Sequence, residues 1–259
     1  MGKVYLIGAG PGDPELITMK GFRLIQSADV ILYDRLVNEA LLDYAPKKAR
    51  RIFCGKAPQS CAYKQEEIND LLVHFSKNFQ TIIRLKGGDP FIFGRGGEEA
   101  AALALRHIPF EIVPGITAGI GVAAYAGIPV THRQLASSVA FVTGHSRAGG
   151  SDQTHWAELA HAVDTLAVYM GIAELPHIVA HLITGGKKPS TPCAVIEWGT
   201  TIRQRTVIGT LATISGQVAS QEIANPAMII VGSVVNLREK IKWFEDRGLP
   251  SEIEARSSY

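Results

Sequence analysis

Ten short apolar runs, rich in Val and Ile, recur along the chain and alternate with helix-patterned stretches. The runs are Val4–Ile7, Val30–Tyr33, Arg51–Cys54, Thr81–Leu85, Phe110–Val113, Val139–Thr143, Leu166–Met170, Ala194–Trp198, Thr206–Ile208 and Met228–Val234. Many are apolar throughout, the pattern of strands covered on both faces. Between them, Pro14–Gln26, Gln65–Phe75, Glu98–Arg106 and Leu175–Leu182 carry apolar residues at helical spacing. This alternation predicts an α/β architecture with mainly parallel sheets.

A length of 259 residues allows one large domain or two small ones. With 46% hydrophobic and 19% charged residues, the chain can bury a core, which excludes a largely disordered protein. Lys plus Arg is 26 against 24 for Asp plus Glu, a net charge of +2. That balance gives no footprint for general nucleic-acid binding, so an acidic ligand needs a local basic cluster. Cys54, Cys61 and Cys193 are odd in number and lack CxxC spacing, which speaks against a disulfide framework or a metal site. A reducing, cytoplasmic compartment fits. The opening MGKVYLIGAG lacks the apolar stretch and cleavage site of a signal peptide. Residues 112–130 are uncharged and near membrane-span length, but four glycines and two prolines interrupt them. The expectation is a strand end, a turn and a tightly packed helix, with no membrane partner. The Pro114-Gly115 break is the preferred boundary: an N-terminal α/β domain over 1–113, a C-terminal one over 114–240 and a tail over 241–259.

Three glycine clusters follow predicted strands. Gly8-Ala9-Gly10-Pro11-Gly12-Asp13 has the spacing GxGxG, and Pro11 removes a backbone donor, so it does not match a dinucleotide fingerprint. The alternatives are a tight turn or a different ligand-approach loop. The second cluster runs from Gly87 and Gly88 through Asp89, Ile92 and Arg95 to Glu98 and Glu99. It combines glycines, aromatics and paired acids beyond what a plain surface loop needs. The third is Pro114-Gly115-Ile116-Thr117-Ala118-Gly119. Loops after parallel strands are where open α/β sheets bind ligands, and these three are expected along one sheet edge. Other patterns fail as sites. His181 stands where a P-loop before Gly186-Lys187 needs glycine, His177 and His181 lack an HExxH glutamate, and Gly-His-Ser at 144–146 is no nucleophile elbow.

VYLIGAGPGDPELIT (4–18), RLKGGDPFIFGRGGEE (84–99), PGITAG (114–119), IPVTHR (128–133), TLAVYMG (165–171), IEWGTTIRQRTVIGTL (196–211) and NPAMIIVG (225–232) together resemble the tetrapyrrole (precorrin) methylase family. The FGRGGEE ending is most similar to members acting on uroporphyrinogen III; a later precorrin or cobalt-precorrin methyltransferase is the alternative. The resemblance implies two α/β domains with an active-site cleft between them and a homodimer, while the charge balance speaks against a nucleic-acid partner. It implies S-adenosylmethionine as methyl donor and C-methylation of uroporphyrinogen III at carbons 2 and 7, through precorrin-1 to precorrin-2, releasing S-adenosylhomocysteine. The cofactor site then takes Pro11, Gly87, Gly88, Asp89, Ile92, Thr117, Ala118, Met170, Gly199 and Ala227. Asp34 and Lys56 are matched as proton acceptor and donor, with helix capping and surface or substrate-carboxylate contact as their plainer alternatives. Arg95 suits a substrate carboxylate, and Glu98 can orient it. Arg35 and Arg133 also fall in matched motifs. No metal is required.

Overall fold

The computed structural model describes residues 1–55, 63–144 and 155–245. All ten apolar runs form strands, and the chain divides into two units, Met1–Thr117 and a second beginning at Ala118.

The first unit contains β1 (Lys3–Gly8), α1 (Met19–Ile25), β2 (Val30–Tyr33), β3 (Arg50–Phe53), α2 (Gln65–Asn78), β4 (Thr81–Lys86), α3 (Gly96–Leu105) and β5 (Phe110–Val113). Its sheet has the order β3-β2-β4-β1-β5, and every pairing is parallel. Successive residues of β4 face opposite sides, as the two-residue strand period demands. Ile83 and Leu85 join Ile7, Ile25, Ile31 and Leu41 in one buried layer. Ile82 joins Leu6, Ile68, Leu72 and Leu103 in the other. Pro14–Gln26 is not one helix. Thr18 accepts a hydrogen bond from Gly21 N (3.1 Å) and caps α1, while Pro14–Leu16 forms a separate 3₁₀ turn.

The second unit contains α4 (Ala118–Tyr125), β6 (Val139–Thr143), α5 (Trp156–Ala162), β7 (Thr165–Tyr169), α6 (Leu175–Thr184), β8 (Pro192–Glu197), β9 (Arg205–Thr210), α7 (Ile214–Ser220), β10 (Ala227–Val231) and α8 (Arg238–Ile241). Its sheet order is β6-β7-β10-β8-β9. Here the expectation of a mainly parallel sheet needs correction. Only β6–β7 is parallel; β10 runs antiparallel to both β7 and β8, and β8 pairs antiparallel with β9. A buried strand is apolar throughout whichever way its neighbour runs, so the pattern of apolar runs carries no direction. The uncharged segment 112–130 resolves into the end of β5, a turn and the eight-residue α4. Among the described residues no helix is long and apolar enough to cross a membrane.

Residues 241–245, read from sequence as the start of a tail, pack onto the end of α4. The buried Arg238 guanidinium donates to Ala126 O and pairs with Glu245. Trp243 Nε1 donates to Ala124 O (2.9 Å), and its ring stands edge-on to Tyr125, 4.9 Å between centroids. These donors satisfy carbonyls that a helix end leaves without intrahelical partners. The segment KWFE has no periodic apolar pattern, which is why sequence alone did not reveal the packing. We expect Trp243→Ala to cost about 1–3 kcal/mol in urea denaturation, given its partial exposure.

The ends of β4, β1 and β5 are neighbours, so the three glycine clusters meet on one edge. Gly88 N donates to Gly10 O (2.7 Å), and Gly10 N to Gly88 O (3.2 Å). A Cβ on Gly115 would lie 2.3 Å from Gly88 O and 2.7 Å from Gly8 Cα, so the three main chains touch and leave no room for a side chain. Gly115→Ala is therefore expected to destabilise the protein by about 1–3 kcal/mol, read as a lower denaturation midpoint.

Candidate active site

In the first unit the strand ends carry the residues that sequence singled out. Gly87 and Gly88 directly follow β4, and Gly88 takes a positive φ of 68°. Pro11 follows the Gly10–Gly88 bridge and is half-buried, as is Ile92. Asp89 spends both oxygens on main-chain donors: Oδ1 accepts from Phe91 N (2.8 Å) and Oδ2 from Gly115 N (2.9 Å). It thereby ties the second glycine loop to the third. No α-helix starts at the first loop, only the 3₁₀ turn Pro14–Leu16; α1 begins at Met19, which separates this edge from a dinucleotide-binding turn.

Asp34 sits immediately after β2 and does not cap the following helical turn. That role belongs to Asn38, whose side chain accepts from Ala40 N (3.0 Å). Asp34 Oδ1 instead accepts from Arg84 Nη2 (2.6 Å), and Oδ2 lies 3.7 Å from Lys86 Nζ. Arg84 Nε donates to Glu99 Oε1 (2.9 Å), which also accepts from Lys86 Nζ (3.0 Å) and Gln65 Nε2 (3.2 Å). Side-chain exposure is 0% for Glu99, 2% for Arg84 and 3% for Lys86, but 31% for Asp34. Burial opposes the charge on Arg84, yet the facing carboxylates of Glu99 and Asp34 outweigh it and raise the guanidinium's pKa.

Arg84, Lys86 and Glu99 were missed as site residues. Their signal was available: two cations two apart on an otherwise apolar central strand share one face and need buried counter-charges. Cys54 is buried beside the same four groups, and burial pushes its thiol up to about 11. Cys193, fully buried in the second unit, is pushed up by burial to about 12. Both are ordinary core thiols. Lys56 and Cys61 lie outside the described residues.

Arg95 occupies the turn before α3 with φ 58° and is exposed. Its Nε and Nη2 grip Glu98 Oε1 and Oε2 at 2.9 and 2.7 Å. The hydrogen bond from Arg95 holds the Glu98 carboxyl below the usual range. Gly97, in the first turn of α3, has nothing within 4 Å of a built Cβ. Packing does not require glycine there, although glycine in a helix is less favourable than alanine.

In the second unit, Met170 follows β7, half-exposed and with φ 53°. Gly199 follows β8, where a Cβ would meet Val122 Cγ1 at 2.3 Å. Ala227 begins the reversed β10 opposite Glu197, and Met228 pairs with Tyr169, so Met170, Gly199 and Ala227 gather at one edge of this sheet. Ala118 opens α4, whose Gly119 N donates to the Tyr169 hydroxyl (2.8 Å). Thr117 is buried and closes the first unit. Among the described residues, seven non-glycine residues have positive φ, and five of them (Phe93, Arg95, Met170, Trp198 and Thr200) lie in these strand-end loops. Such backbone strain clusters at functional sites. His177 and His181, by contrast, simply stack along α6 with ring centroids 4.0 Å apart.

The first unit's edge thus combines close main-chain approaches, an accessible carboxylate backed by buried cations, and an exposed arginine. That arrangement can bind and orient an anionic organic substrate and accept a proton. Residues 3–215 match the family model of the Tetrapyrrole (Corrin/Porphyrin) Methylases. The chain is 60% identical over 236 residues to the uroporphyrinogen-III C-methyltransferase of Priestia megaterium, covering 91% of this chain and 99% of that one. It is 53% identical to that of Bacillus subtilis (strain 168), covering 95% of each. Among solved structures, the uroporphyrin-III C-methyl transferase of Thermus thermophilus complexed with S-adenyl homocysteine is 40% identical, with a TM-score of 0.78, covering 91% of this chain and all of that one. On a family match that spans most of its length, the chain belongs to the tetrapyrrole methylases.

Proposed function

We propose that this chain methylates uroporphyrinogen III with S-adenosylmethionine, at ring carbons 2 and 7, giving precorrin-1 and then precorrin-2. The observation that carries this reading is the 60% identity to a uroporphyrinogen-III C-methyltransferase over almost the full length of both chains. The residues at the strand ends fit the donor. At the first unit's edge, glycine main chains approach so closely that a Cβ would fill the space, leaving backbone groups and small side chains to face a ligand.

Bound S-adenosylmethionine would supply an already electrophilic methyl group to a ring carbon, its sulfur keeping the bonding pair. The methylated ring then sheds a proton. Pro11, Gly87, Gly88, Asp89, Ile92 and Thr117 of the first unit, and Ala118, Met170, Gly199 and Ala227 of the second, are our assigned cofactor contacts. Their task is alignment, which needs no covalent enzyme nucleophile. Asp34 is assigned as proton acceptor and Lys56 as donor. Arg95 is assigned to a substrate carboxylate, and Glu98, which accepts from its Nε and Nη2, orients the guanidinium for that contact. Arg35 and Arg133 add charge for a substrate with eight carboxylates, which reconciles an acidic ligand with a net charge of only +2.

Incubation with uroporphyrinogen III and S-adenosylmethionine, followed by absorbance and mass, should show a gain of two methyl groups. A gain of one methyl on a later precorrin, with none on uroporphyrinogen III, would favour the alternative corrin-pathway methylase. Arg95→Ala should lower kcat/KM for uroporphyrinogen III by roughly tenfold to a hundredfold, the scale of a hydrogen bond to a charged group. Its S-adenosylhomocysteine affinity should hold; unchanged steady-state kinetics would remove Arg95 from the site. Met170→Leu should weaken S-adenosylhomocysteine binding measured by calorimetry before it changes the melting temperature.

A further inference from the structure

Of the four charged groups that meet at the ends of β2 and β4, only Asp34 has appreciable access to solvent. Behind it, Arg84 bridges the two carboxylates, with Nη2 on Asp34 (2.6 Å) and Nε on Glu99 (2.9 Å). Lys86 reaches the same two carboxylates, at 3.0 Å from Glu99 Oε1 and 3.7 Å from Asp34 Oδ2. Two buried cations therefore balance two anions, one of them fully buried and the other, Asp34, open to solvent. An ion pair needed only for stability gains little from such burial, because desolvation offsets most of the attraction. A group held on one exposed carboxylate by two buried cations, themselves trimmed by a buried anion, instead sets the rotamer and the local potential of that carboxylate.

We propose that Arg84, Lys86 and Glu99 are positioning residues that aim the Asp34 carboxylate and set the electrostatic potential in which it takes the proton released by methylation. The inference rests on the reading of Asp34 as proton acceptor. Arg84 and Lys86 project from β4, Glu99 from α3 and the Cys54 thiol from the end of β3, while Gln65 of α2 supports Glu99 without a charge. Glu99 Oε1 takes three donors and Oε2 has no hydrogen-bond partner among the described residues. The carboxylate is turned so that one oxygen faces both cations.

The geometry separates an electrostatic role from a structural one, because removing opposite charges should move the activity profile in opposite directions. Glu99→Gln keeps shape and an acceptor oxygen but leaves two cations facing Asp34. The acid limb of kcat/KM should then move to lower pH by roughly one unit. Lys86→Met keeps a similar volume and removes one cation, so the same limb should move to higher pH. Both are to be measured on the full chain with uroporphyrinogen III, with S-adenosylhomocysteine affinity by calorimetry as the control. Opposed shifts with cofactor affinity retained support the proposal. Limbs that overlay the parent's, or that move the same way in both variants, overturn it. If Glu99→Gln does not fold, a Lys86→Met limb that stays in place or moves to lower pH overturns it, and one that moves to higher pH supports it. Asp34→Asn tests the underlying reading separately. Full turnover in that variant removes Asp34 as the proton acceptor, whereas lost turnover with unshifted Glu99→Gln and Lys86→Met profiles removes only the positioning role.

Discussion

Arg84 and Lys86 are buried on the central strand of the first sheet, and the surrounding elements are arranged to answer their charges. A lone buried cation is costly enough that such a position persists only with counter-charges at hydrogen-bond distance. Glu99 supplies one from the first turns of α3, and Asp34 the other from the end of β2. The Arg84 link thus joins β2, β4 and α3, and it decides which acidic side chain faces outward. Asp34 does, because its oxygens are met from one side only, whereas Glu99 is covered entirely.

Around this centre the main chain is brought to the sheet edge by residues without side chains. Gly8, Gly88 and Gly115 let three adjacent strands end in contact. Asp89 then fixes the second loop to the third through two main-chain donors. Each loop leans on another through these main-chain contacts. The arrangement keeps backbone groups available where longer side chains would cover them. A carboxylate invested in Gly115 N and Phe91 N serves the site by shaping it, whatever further contact it makes with a ligand.

The second unit reaches a similar end by different means. Its sheet inserts β10 antiparallel between β7 and β8, so the beginning of one strand lies beside the ends of two others. Ala227 is placed next to Glu197 by that reversal, and Met170 and Gly199 follow the neighbouring strands. Glu197 itself is buried and structural, accepting from Arg205 Nε (2.7 Å) and from Ala224 N (2.8 Å). It anchors the approach to β10 to the β8–β9 hairpin.

Much of this was legible in the order of residues. Apolar runs locate all ten strands, and the central ones are largely apolar because a strand buried on both faces must be, a requirement that is local. Glycine clusters mark the strand ends that approach one another, since only glycine tolerates such contacts. Strand direction was not legible: a run such as Ala227–Val231 reads the same whichever way it crosses the sheet. Nor was the packing of Trp243 and Glu245, which rests on hydrogen bonds to a helix end rather than on periodicity. The charges at Arg84, Lys86, Glu99 and Asp34 are plain in sequence, but their pairing spans up to 52 residues. Only the tertiary structure decided that they form one cluster with a single accessible member, because burial and distance are properties of the folded sheet and not of the chain.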